Sequence, residues 1–500
     1  MSHGNSNSRR KTPPKPPAWR DDSLARIDFH GAAGKVTGSC YLLSTHDTRV
    51  LIDCGMHQGG KQDRALNSAK WPFDPQHLDA VVLTHAHLDH CGLLPRLVAE
   101  GFRGKVHATC GTCDLAEIIL RDAAHIQESD AKHKSRRLQR AGRPPAVPLY
   151  VMRDAELALE QLEPHEFGEF ITLAEDLRVR FHPAAHILGA SHVEFRIRDV
   201  KAERSVVFSG DIGRVGQPVV PDPQPPQGAD LVIMESTYGD RDHRDGAATL
   251  DELADSLSRA ERSGGNVIVP VFAVGRAQEL LHAIAMLEQE GRVPRRETVL
   301  DSPMAINVTD LYTRNPSCLG ETTRARLQGE VPALMPARLR STRHWTESAE
   351  LNERQGLTIL SASGMCDAGR IQHHLKHNLW RTDAQILIVG YQAEGSLGRA
   401  LVNGAKSVRV MGEEVRVKAS IRTLGGFSAH AGRSELLAWI EGTGEPRARV
   451  VLTHGEPSQT AAFAEELERV RGEAPIVPEL GDRLFIPRSG RAFELESRRR

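Results

Sequence analysis

Residues 80–90 read AVVLTHAHLDH, in which an apolar run is followed by four potential metal ligands within six residues. The run AVVL is typical of a strand that is buried on both faces. Imidazole and carboxylate groups are ligands that zinc prefers. Past the end of a strand, alternate side chains can face two adjacent points, so this stretch predicts a two-metal site.

Three further polar residues follow or interrupt short apolar runs elsewhere in the chain. Asp53 lies in LIDCG, His186 lies in AAHILGAS, and Asp211 lies in FSGDIG. Taken alone, each has an ordinary structural explanation, because an aspartate after a strand commonly caps a helix or closes a turn. On the residues alone, nothing joins them to the cluster at 85–90.

The combination resembles a known family. HAHLDH at 85–90, directly after an apolar strand, resembles the HxHxDH signature of the metallo-β-lactamase superfamily. Asp53, His186 and Asp211 stand in the order of that family's other metal-site motifs. Because the fold serves many substrates, this resemblance alone does not define the reaction.

Later motifs resemble one branch of the superfamily, the nucleic-acid-cutting β-CASP branch. Glu235 opens ESTYG and resembles its acidic motif, His430 closes FSAH and resembles its additional histidine motif, and His454 in LTHGE resembles its last metal-ligand motif. The stretches VFAVGRAQEL, DSPMA and SASGM, which lie between Glu235 and His430, also resemble that branch. The resemblance covers residues 24–490.

By this resemblance the chain binds two Zn²⁺ ions. The implied ligands of one ion are His85, His87 and His186, and those of the other are Asp89, His90 and His454, with Asp211 bridging both. Asp53 would orient the loop that carries the ligands. Every one of these positions holds the residue type that the family pattern requires, which argues against a non-catalytic scaffold.

The resemblance also implies the catalytic groups, which are Asp89, Glu235 and His430. Hydrolysis of a phosphodiester needs a nucleophile, neutralisation of charge on phosphorus and a proton for the leaving oxygen, and two zinc ions supply the first two. His430, oriented by Glu235, would protonate the departing 3′-oxygen. The products would carry a 5′-phosphate and a 3′-hydroxyl.

Phosphate binding is expected from the segment between Glu235 and His430. Gly364 and Met365 lie in a predicted turn between a strand and a helix, where backbone N–H groups can face a phosphate. Arg276, at the start of a helix, and Arg399, in GSLGR, are the other substrate-binding candidates. Each has an equally ordinary explanation as a surface arginine or a packing glycine.

The expected fold is α/β. It combines a metallo-β-lactamase αββα sandwich with an inserted parallel α/β β-CASP domain, because apolar strands alternate with helices between residues 239 and 426. The predicted divisions are a disordered, basic, proline-rich tail at 1–22, a first sandwich segment at 23–238, the β-CASP domain at 239–426 and a second sandwich segment at 427–500. Residues 121–165 begin as a charged, helical stretch, break at Pro144-Pro145 and look like an insertion over the body.

Composition sets limits on the class of protein. The 500 residues are 40% hydrophobic and 26% charged, with a net charge of -1 and seven cysteines, which excludes a polycation and a disulfide scaffold. No segment approaches the roughly 20 apolar residues of a membrane helix, so we expect a cytoplasmic enzyme without a membrane partner. A homodimer is compatible with the sequence.

The sequence therefore predicts a zinc-dependent ribonuclease that cuts single-stranded RNA, endonucleolytically, in RNA processing or decay. Three alternatives stay open, which are a 5′-3′ exoribonuclease, a DNA-directed nuclease of the same branch and a small-molecule thioesterase or esterase. Histidine at position 430 favours RNA over DNA on family grounds. The thioesterase alternative leaves Glu235, His430 and the inserted segment unexplained.

Overall fold

The structure of the protein is a computed structural model that describes residues 20, 22–327, 335–390, 392–393, 395–444, 447–490 and 492–497. The predicted basic tail at 1–22 lies outside the described residues except for positions 20 and 22.

Twenty-two strands are present in the described ranges. In chain order they are β1 (Ser23–Phe29), β2 (Tyr41–Ser44), β3 (Arg49–Ile52), β4 (Ala80–Val82), β5 (Lys105–Thr109), β6 (Leu162–His165), β7 (Ile171–Ala174), β8 (Leu177–Pro183), β9 (Ser191–Arg198), β10 (Glu203–Phe208), β11 (Leu231–Glu235), β12 (Val267–Pro270), β13 (Glu297–Leu300), β14 (Leu339–Ser341), β15 (Leu357–Ser361), β16 (Gln385–Ile388), β17 (Ser407–Val410), β18 (Glu413–Arg416), β19 (Ser420–Thr423), β20 (Arg449–Thr453), β21 (Arg483–Pro487) and β22 (Glu494–Glu496).

The same part of the chain contains fourteen α-helices. In chain order they are α1 (Lys61–Leu66), α2 (Leu88–Cys91), α3 (Leu94–Ala99), α4 (Cys110–Arg140), α5 (Met152–Leu159), α6 (Gly246–Ser263), α7 (Arg276–Gln289), α8 (Pro303–Arg314), α9 (Glu321–Leu327), α10 (Trp345–Glu350), α11 (Ile371–Asn378), α12 (Leu397–Val402), α13 (Arg433–Glu441) and α14 (Pro457–Arg471).

Two sheets pack face to face and are covered by helices on their outer sides. The first has the strand order β22-β21-β1-β2-β3-β4-β5-β6, and the second has the order β20-β11-β10-β9-β8-β7. Apolar side chains of both sheets, such as Ile27, Val82, Phe195 and Ile233, form one buried core between them. Helices α3 and α4 pack on the outer face of the first sheet, and α13 and α14 pack on that of the second. The predicted αββα sandwich is confirmed.

A third sheet, built from the segment between β11 and β20, has the order β14-β13-β15-β12-β16-β19. All of its strand pairs are parallel, and its central strands are buried along their whole length. Helices cover both of its faces, with α6, α7 and α8 on one and α11 and α12 on the other. This is the inserted parallel α/β domain that the alternating pattern predicts.

Residues 121–165 do not form a separate insertion. The charged helix predicted there is the outer part of α4, which begins at Cys110 and has buried side chains as far as Ala124. The segment then returns through α5 to β6, which is the edge strand of the first sheet. No helix in the described ranges is long and apolar enough to cross a membrane.

Candidate metal centre

The predicted ligands meet where several strands end at one edge of the sandwich. His85 follows β4 after a two-residue extension, and His87 is the residue before α2, which carries Asp89 and His90. His186 lies in the turn between β8 and β9, and Asp211 follows β10.

Parallel pairing brings the last ligand and the acidic motif side by side. Strand β20 pairs with β11 so that Thr453 lies opposite Glu235. His454, the next residue, therefore emerges at the same edge as Glu235. It adopts a positive φ of 49°, which turns the chain away from the strand at that point.

One group of donor atoms comes from three histidines. Nδ1 of His87 lies 3.1 Å from Nε2 of His85 and 3.1 Å from Nε2 of His186. Oδ2 of Asp211 lies 3.4 Å from the same Nε2 atoms of His85 and His186. These four atoms lie within 4.8 Å of one another, which is the spacing expected of ligands around one ion.

A second group lies beside the first. Nε2 of His90 is 3.2 Å from Nε2 of His454, and Oδ2 of Asp89 is 3.7 Å from the same His454 nitrogen. The other carboxylate oxygen of Asp211, Oδ1, lies 3.3 Å from Nε2 of His90. Asp211 thus presents one oxygen to each group.

The donor set fits bound cations. Oδ1 of Asp211 is buried and accepts no hydrogen bond from a described residue. A buried carboxylate oxygen without a donor is costly unless a cation satisfies it. The imidazole nitrogens of both groups point at one another, which is unfavourable for protonated rings and favourable when a cation lies between them. Nitrogen and oxygen donors without thiolates suit zinc.

Asp53 contacts both the loop that carries the predicted ligands and one of those ligands, His90. Its carboxylate lies 2.7 Å from Nδ1 of His90 and accepts a 2.8 Å hydrogen bond from the backbone N–H of Thr84. The hydroxyl groups of Ser39 and Thr84 also donate to it. These contacts fix the ring orientation of His90 and leave its Nε2 facing the centre.

The groups that contact two other predicted ligands, His186 and His454, were not identified from the sequence. Nδ1 of His186 lies 3.3 Å from the carbonyl oxygen of Ala429, and Nδ1 of His454 lies 3.2 Å from the hydroxyl of Thr237. Both partners sit inside quoted motifs, FSAH and ESTYG, so their closeness to a predicted site residue is the signal that could have identified them. Their roles depend on contacts across more than 200 residues of sequence.

Burial and neighbouring charges set the protonation of the ligands. Burial, reinforced by the nearby His90, lowers the pKa of His85, and burial together with His85 lowers the pKa of His87 to about 3. Burial and His430 hold the pKa of His186 well below its usual range. Neutral imidazoles at these three positions keep the lone pairs that metal binding requires. At His90, by contrast, burial is outweighed by Asp211 and Asp53, which raise its pKa well above the ordinary value.

The two acidic groups nearest the centre are ionised. Burial alone would raise the pKa of Asp211, but the surrounding histidines, His454 and His90 first, hold it well below the ordinary value. Burial is likewise outweighed at Asp89, whose pKa is lowered by His454 and His90. The centre therefore offers two carboxylates to cations, as a metal site requires.

His430 lies between this centre and Glu235. Its Nδ1 is 3.2 Å from both carboxylate oxygens of Glu235, and its Nε2 is 3.9 Å from Oδ2 of Asp211. Burial disfavours the charged imidazole, but Glu235 and Asp211 outweigh it and raise the pKa of His430 to about 9. The ring is thus held with a protonated nitrogen facing the ligands.

The structure places the predicted phosphate-binding turn after β15. Within the described residues, the backbone N–H groups of Gly364 and Met365 donate no hydrogen bond, whereas their carbonyl oxygens accept from Gln392 and Gly398. The turn is thereby fixed through its oxygens, while Gly364 is buried and Met365 is partly exposed. Arg399 follows Gly398 in the first turn of α12.

Two contacts connect this turn to the metal centre. A Cβ added at Gly364 would lie 2.8 Å from the ring of Phe272, so only glycine fits there without movement. A Cβ added at Gly275, which has a φ of +76°, would lie 3.0 Å from Ile187, the neighbour of His186. The residues between β12 and α7 thus touch both the Gly364 turn and the His186 loop.

Arg276 differs from the other predicted substrate contacts. It begins α7, as the sequence indicates, but its side chain is buried and forms an ion pair with Glu279 in the same helix turn. Phe272, which the prediction did not single out within VFAVGRAQEL, is instead the more exposed side chain of this segment, at 40%.

Comparison with known families identifies three consecutive regions. The family described as the metallo-β-lactamase superfamily matches residues 33–270, the β-CASP domain family matches residues 277–401, and a family described as "Zn-dependent metallo-hydrolase RNA specificity domain" matches residues 414–478.

Curated relatives match over nearly the whole chain. Ribonuclease TTHA0252 of Thermus thermophilus is 42% identical over 459 residues, which cover 91% of this chain and 99% of that protein. Transcription termination factor FttA of Methanocaldococcus jannaschii is 31% identical, and the match covers 92% of this chain and 71% of that protein. An RNase J-like protein of the same archaeon is 28% identical, with 93% of this chain and 100% of that protein covered.

A solved structure shares the fold. A protein of unknown function from Enterococcus faecalis aligns with a TM-score of 0.53 at 14% identity, over 92% of this chain and 100% of that one. The sandwich, the inserted parallel sheet, the family matches and the 42% identical relative agree with one another. The chain therefore belongs to the β-CASP branch of the metallo-β-lactamase superfamily and is a metal-dependent hydrolase.

Proposed function

We propose that the protein is a zinc-dependent ribonuclease that cuts single-stranded RNA internally and leaves a 5′-phosphate and a 3′-hydroxyl. One observation carries the proposal. His430 is held by the buried Glu235 through Nδ1 while its Nε2 faces the ligand cluster. A proton donor fixed beside a two-metal donor set is what phosphodiester hydrolysis needs and what activated esters or thioesters, with better leaving groups, need less.

Two zinc ions would be held by separate residues that share Asp211. The ligands proposed for one ion are His85, His87 and His186, and those for the other are Asp89, His90 and His454. The chemistry that zinc supplies at such a site is activation of water near neutral pH and neutralisation of charge on the phosphate. Asp53 would keep His90 in the tautomer that leaves Nε2 free for binding.

His430 would act as the general acid. With Nδ1 directed at Glu235, the proton on Nε2 is the one that faces the cluster, and it would pass to the 3′-oxygen as the P–O bond breaks. Glu235 is a positioning residue for this ring. It also accepts a hydrogen bond from the backbone N–H of Ile212, which ties it to the segment that carries Asp211.

The substrate would lie along the contacts between the Gly364 turn, Phe272 and the His186 loop. The N–H groups of Gly364 and Met365, which donate no hydrogen bond within the described residues, would receive a phosphate next to the one that is cut, and Arg399 would lie beside it. Arg276 would act through its pair with Glu279 by holding the start of α7. A flexible single strand reaches buried ligands more readily than a rigid duplex does.

Similarity to proteins named as a ribonuclease and as a transcription termination factor supports RNA as the substrate. The match of residues 414–478 to a family described as an RNA specificity domain supports it further. On this basis we place the activity in RNA processing or decay.

The test uses one RNA that carries different labels at its 5′ and 3′ ends. Wild type, His430→Ala and a control, His77→Ala, are incubated with zinc or with a chelator. We expect internal fragments from wild type and control, little product from His430→Ala and none with chelator. Release of nucleotides from one end would assign an exonuclease instead. Cleavage of DNA alone, or of a thioester alone, would refute the proposal.

A further inference from the structure

The outer half of α4 projects from the body of the protein. Buried side chains occur along the helix only as far as Ala124, and none of residues 125–140 is buried. At 1.5 Å per residue this part of the helix is about 24 Å long. A helix that contributes nothing to the core over four turns needs another reason for its length.

This part of the chain is strongly basic. We use the name basic arm for residues 125–143, which hold six cationic side chains against two acidic ones in a protein whose net charge is -1. The six are exposed, and none forms an ion pair with another described residue. They are Lys132, Lys134, Arg136, Arg137, Arg140 and Arg143.

Helix stabilisation does not account for these charges. Cations stabilise a helix when they lie in its last turn, near the negative end of the helix dipole. Only Arg137 and Arg140 occupy that turn. Lys132 and Lys134 follow Glu128 and Asp130 by four positions, a spacing that favours a helix slightly, but no ion pair between them is formed within the described residues. Arg136, which follows Lys132 by four positions, and Arg143, beyond the helix end, have no acidic neighbour at that spacing.

The arm is braced rather than free. Its return segment is held to the helix by a 2.9 Å hydrogen bond from the backbone N–H of Ala146 to the hydroxyl of Ser135. At its base, the backbone N–H of Met152 donates to Glu128 over 2.9 Å. The charges are therefore presented on a fixed support, which reduces the entropy lost when a ligand binds.

The base of the arm lies against the metal centre. Ala123 and Ala124 form a small buried cluster with Tyr150, and Leu88 packs against that cluster. Leu88 stands between His87 and Asp89 in the sequence, on the loop that carries the proposed ligands. The arm thus leaves the body from directly behind the ligand loop.

We infer that the basic arm is a binding surface for the RNA backbone outside the cleavage site. This inference rests on the proposed function, because it assumes that the substrate is RNA. Unpaired lysine and arginine side chains along a helix suit phosphates, which give affinity without sequence readout. An acidic protein partner is less favoured, because the arm has no Phe, Trp or Tyr and Ile126 is its one exposed large apolar side chain, whereas such interfaces use clusters of aromatic and apolar anchors.

The test removes four of the charges and keeps the helix. Lys132, Lys134, Arg136 and Arg137 are all changed to Gln, which has a similar helix propensity. Binding is measured by fluorescence anisotropy in a His430→Ala background, with a long unstructured RNA and with a short oligonucleotide that fills the cleavage site alone. We expect the Kd of the long RNA to rise about tenfold or more at low salt, while that of the short one stays unchanged.

Salt dependence gives a second readout. Each lost phosphate contact lowers the slope of log Kd against log salt by about 0.7 for a single strand, so the four changes should lower it by up to about 3. The matched control changes Lys201, Arg262, Arg295 and Arg338 to Gln, which are four exposed cations outside the basic arm and outside residues 414–478. We expect a much smaller effect there.

The outcomes separate the two proposals. If wild type cuts the short oligonucleotide and the arm variant binds long RNA as tightly as wild type does, the arm inference is wrong and the ribonuclease stands. Equal losses in both four-residue variants would also overturn it, because they would show a general charge effect. If wild type cuts neither the long nor the short RNA, the proposed ribonuclease function itself is refuted. Unchanged circular dichroism excludes loss of the helix as the cause.

Discussion

Nδ1 of His430 lies 3.2 Å from both carboxylate oxygens of Glu235, although the two residues are 195 positions apart in the sequence and the inserted domain lies between them. Glu235 ends a strand of the sandwich, whereas His430 follows the last strand of the third sheet. The ring of His430 also contacts that of His186, with centroids 4.5 Å apart and ring planes tilted by 50°. Formation of this pair therefore depends on the return of the chain from the inserted domain to the sandwich, where the backbone N–H of Ala431 donates to the carbonyl oxygen of Ile212.

We predict that Glu235→Gln lowers kcat on RNA far more than it changes KM. The amide keeps the size of the side chain and one acceptor oxygen. It loses the negative charge that orients the ring of His430 and keeps that ring protonated. A positioned proton donor contributes about 10²–10⁴-fold to rate, so the His430→Ala variant should lose that much and Glu235→Gln somewhat less. Steady-state kinetics with one labelled RNA provides the measurement.

The substrate itself gives the control for this prediction. An RNA analogue with a good leaving group, such as a 3′-thio linkage at the cut site, needs little protonation and should restore much of the lost rate in both variants. Equal losses on both substrates would show that Glu235 and His430 support the fold or the metal site instead. Bound zinc is measured in parallel to decide between these two.

A second prediction concerns Asp53. Asparagine tolerates the positive φ of 57° found at this position, so Asp53→Asn changes the charge without straining the backbone. The hydrogen bond to Nδ1 of His90 would then no longer be charge-assisted, and zinc affinity should fall about 10–100-fold. Competition with a chromogenic chelator measures the affinity. Asp176→Asn, in the β7–β8 turn, is the matched control and should bind zinc as wild type does.

A third prediction concerns stability at acid pH. Burial would raise the pKa of Glu194, but hydrogen bonds from His182 and Arg180 outweigh it and lower the pKa from 4.5 to about 2. Because the folded-state pKa is depressed, the stabilisation is complete above about pH 5 and is lost as pH falls toward 2. A shift of this size corresponds to about 3 kcal/mol.

Urea unfolding of metal-free wild type and Glu194→Gln tests this directly. The variant should be less stable by about 3 kcal/mol at pH 7, and the difference should shrink between pH 5 and pH 3. Glu203→Gln removes an exposed carboxylate from the neighbouring strand and should cost under about 1 kcal/mol at every pH. A difference for Glu194→Gln that stays constant with pH would mean that packing, and not charge, is what the residue contributes.

The features that could be predicted are those that neighbouring residues in the sequence encode. The run at 80–90 indicated both the strand and the ligands, because strand and ligands are adjacent in the sequence. The alternation of helices and apolar strands after residue 239 indicated the parallel sheet, because this pattern too is visible in neighbouring residues. The contacts of His186 with Ala429 and of His454 with Thr237 could not be derived, since they arise only when distant segments fold together.

Two differences show where sequence patterns were followed too loosely. Arg276 was a candidate for substrate binding, with a surface arginine as the equally ordinary explanation, and the pairing with Glu279 was not considered although Glu279 lies three residues later in the same helix, a spacing at which opposite charges pair. The helix α4 was expected to start where its charge rises, near residue 121. It starts at Cys110, because its first four turns are apolar on the side that covers the first sheet.

The last prediction concerns zinc content. It follows from the position of Asp211, whose two carboxylate oxygens face different groups of donor atoms. Oδ2 faces Nε2 of His186, and Oδ1 faces Nε2 of His90 and Nδ1 of His454. His186→Ala and His454→Ala should therefore each lose one of two zinc ions, while Asp211→Asn weakens both sites at once.

Zinc per chain is measured by plasma mass spectrometry after equilibration at a buffered free-zinc concentration. Wild type and the control His77→Ala should hold two ions, each single-site variant about one, and Asp211→Asn fewer than either. If His186→Ala and His454→Ala both lost all zinc, the two groups would be a single cooperative site. If both kept two ions, the histidines would not be ligands, and the division of Asp211 between two sites would have to be abandoned.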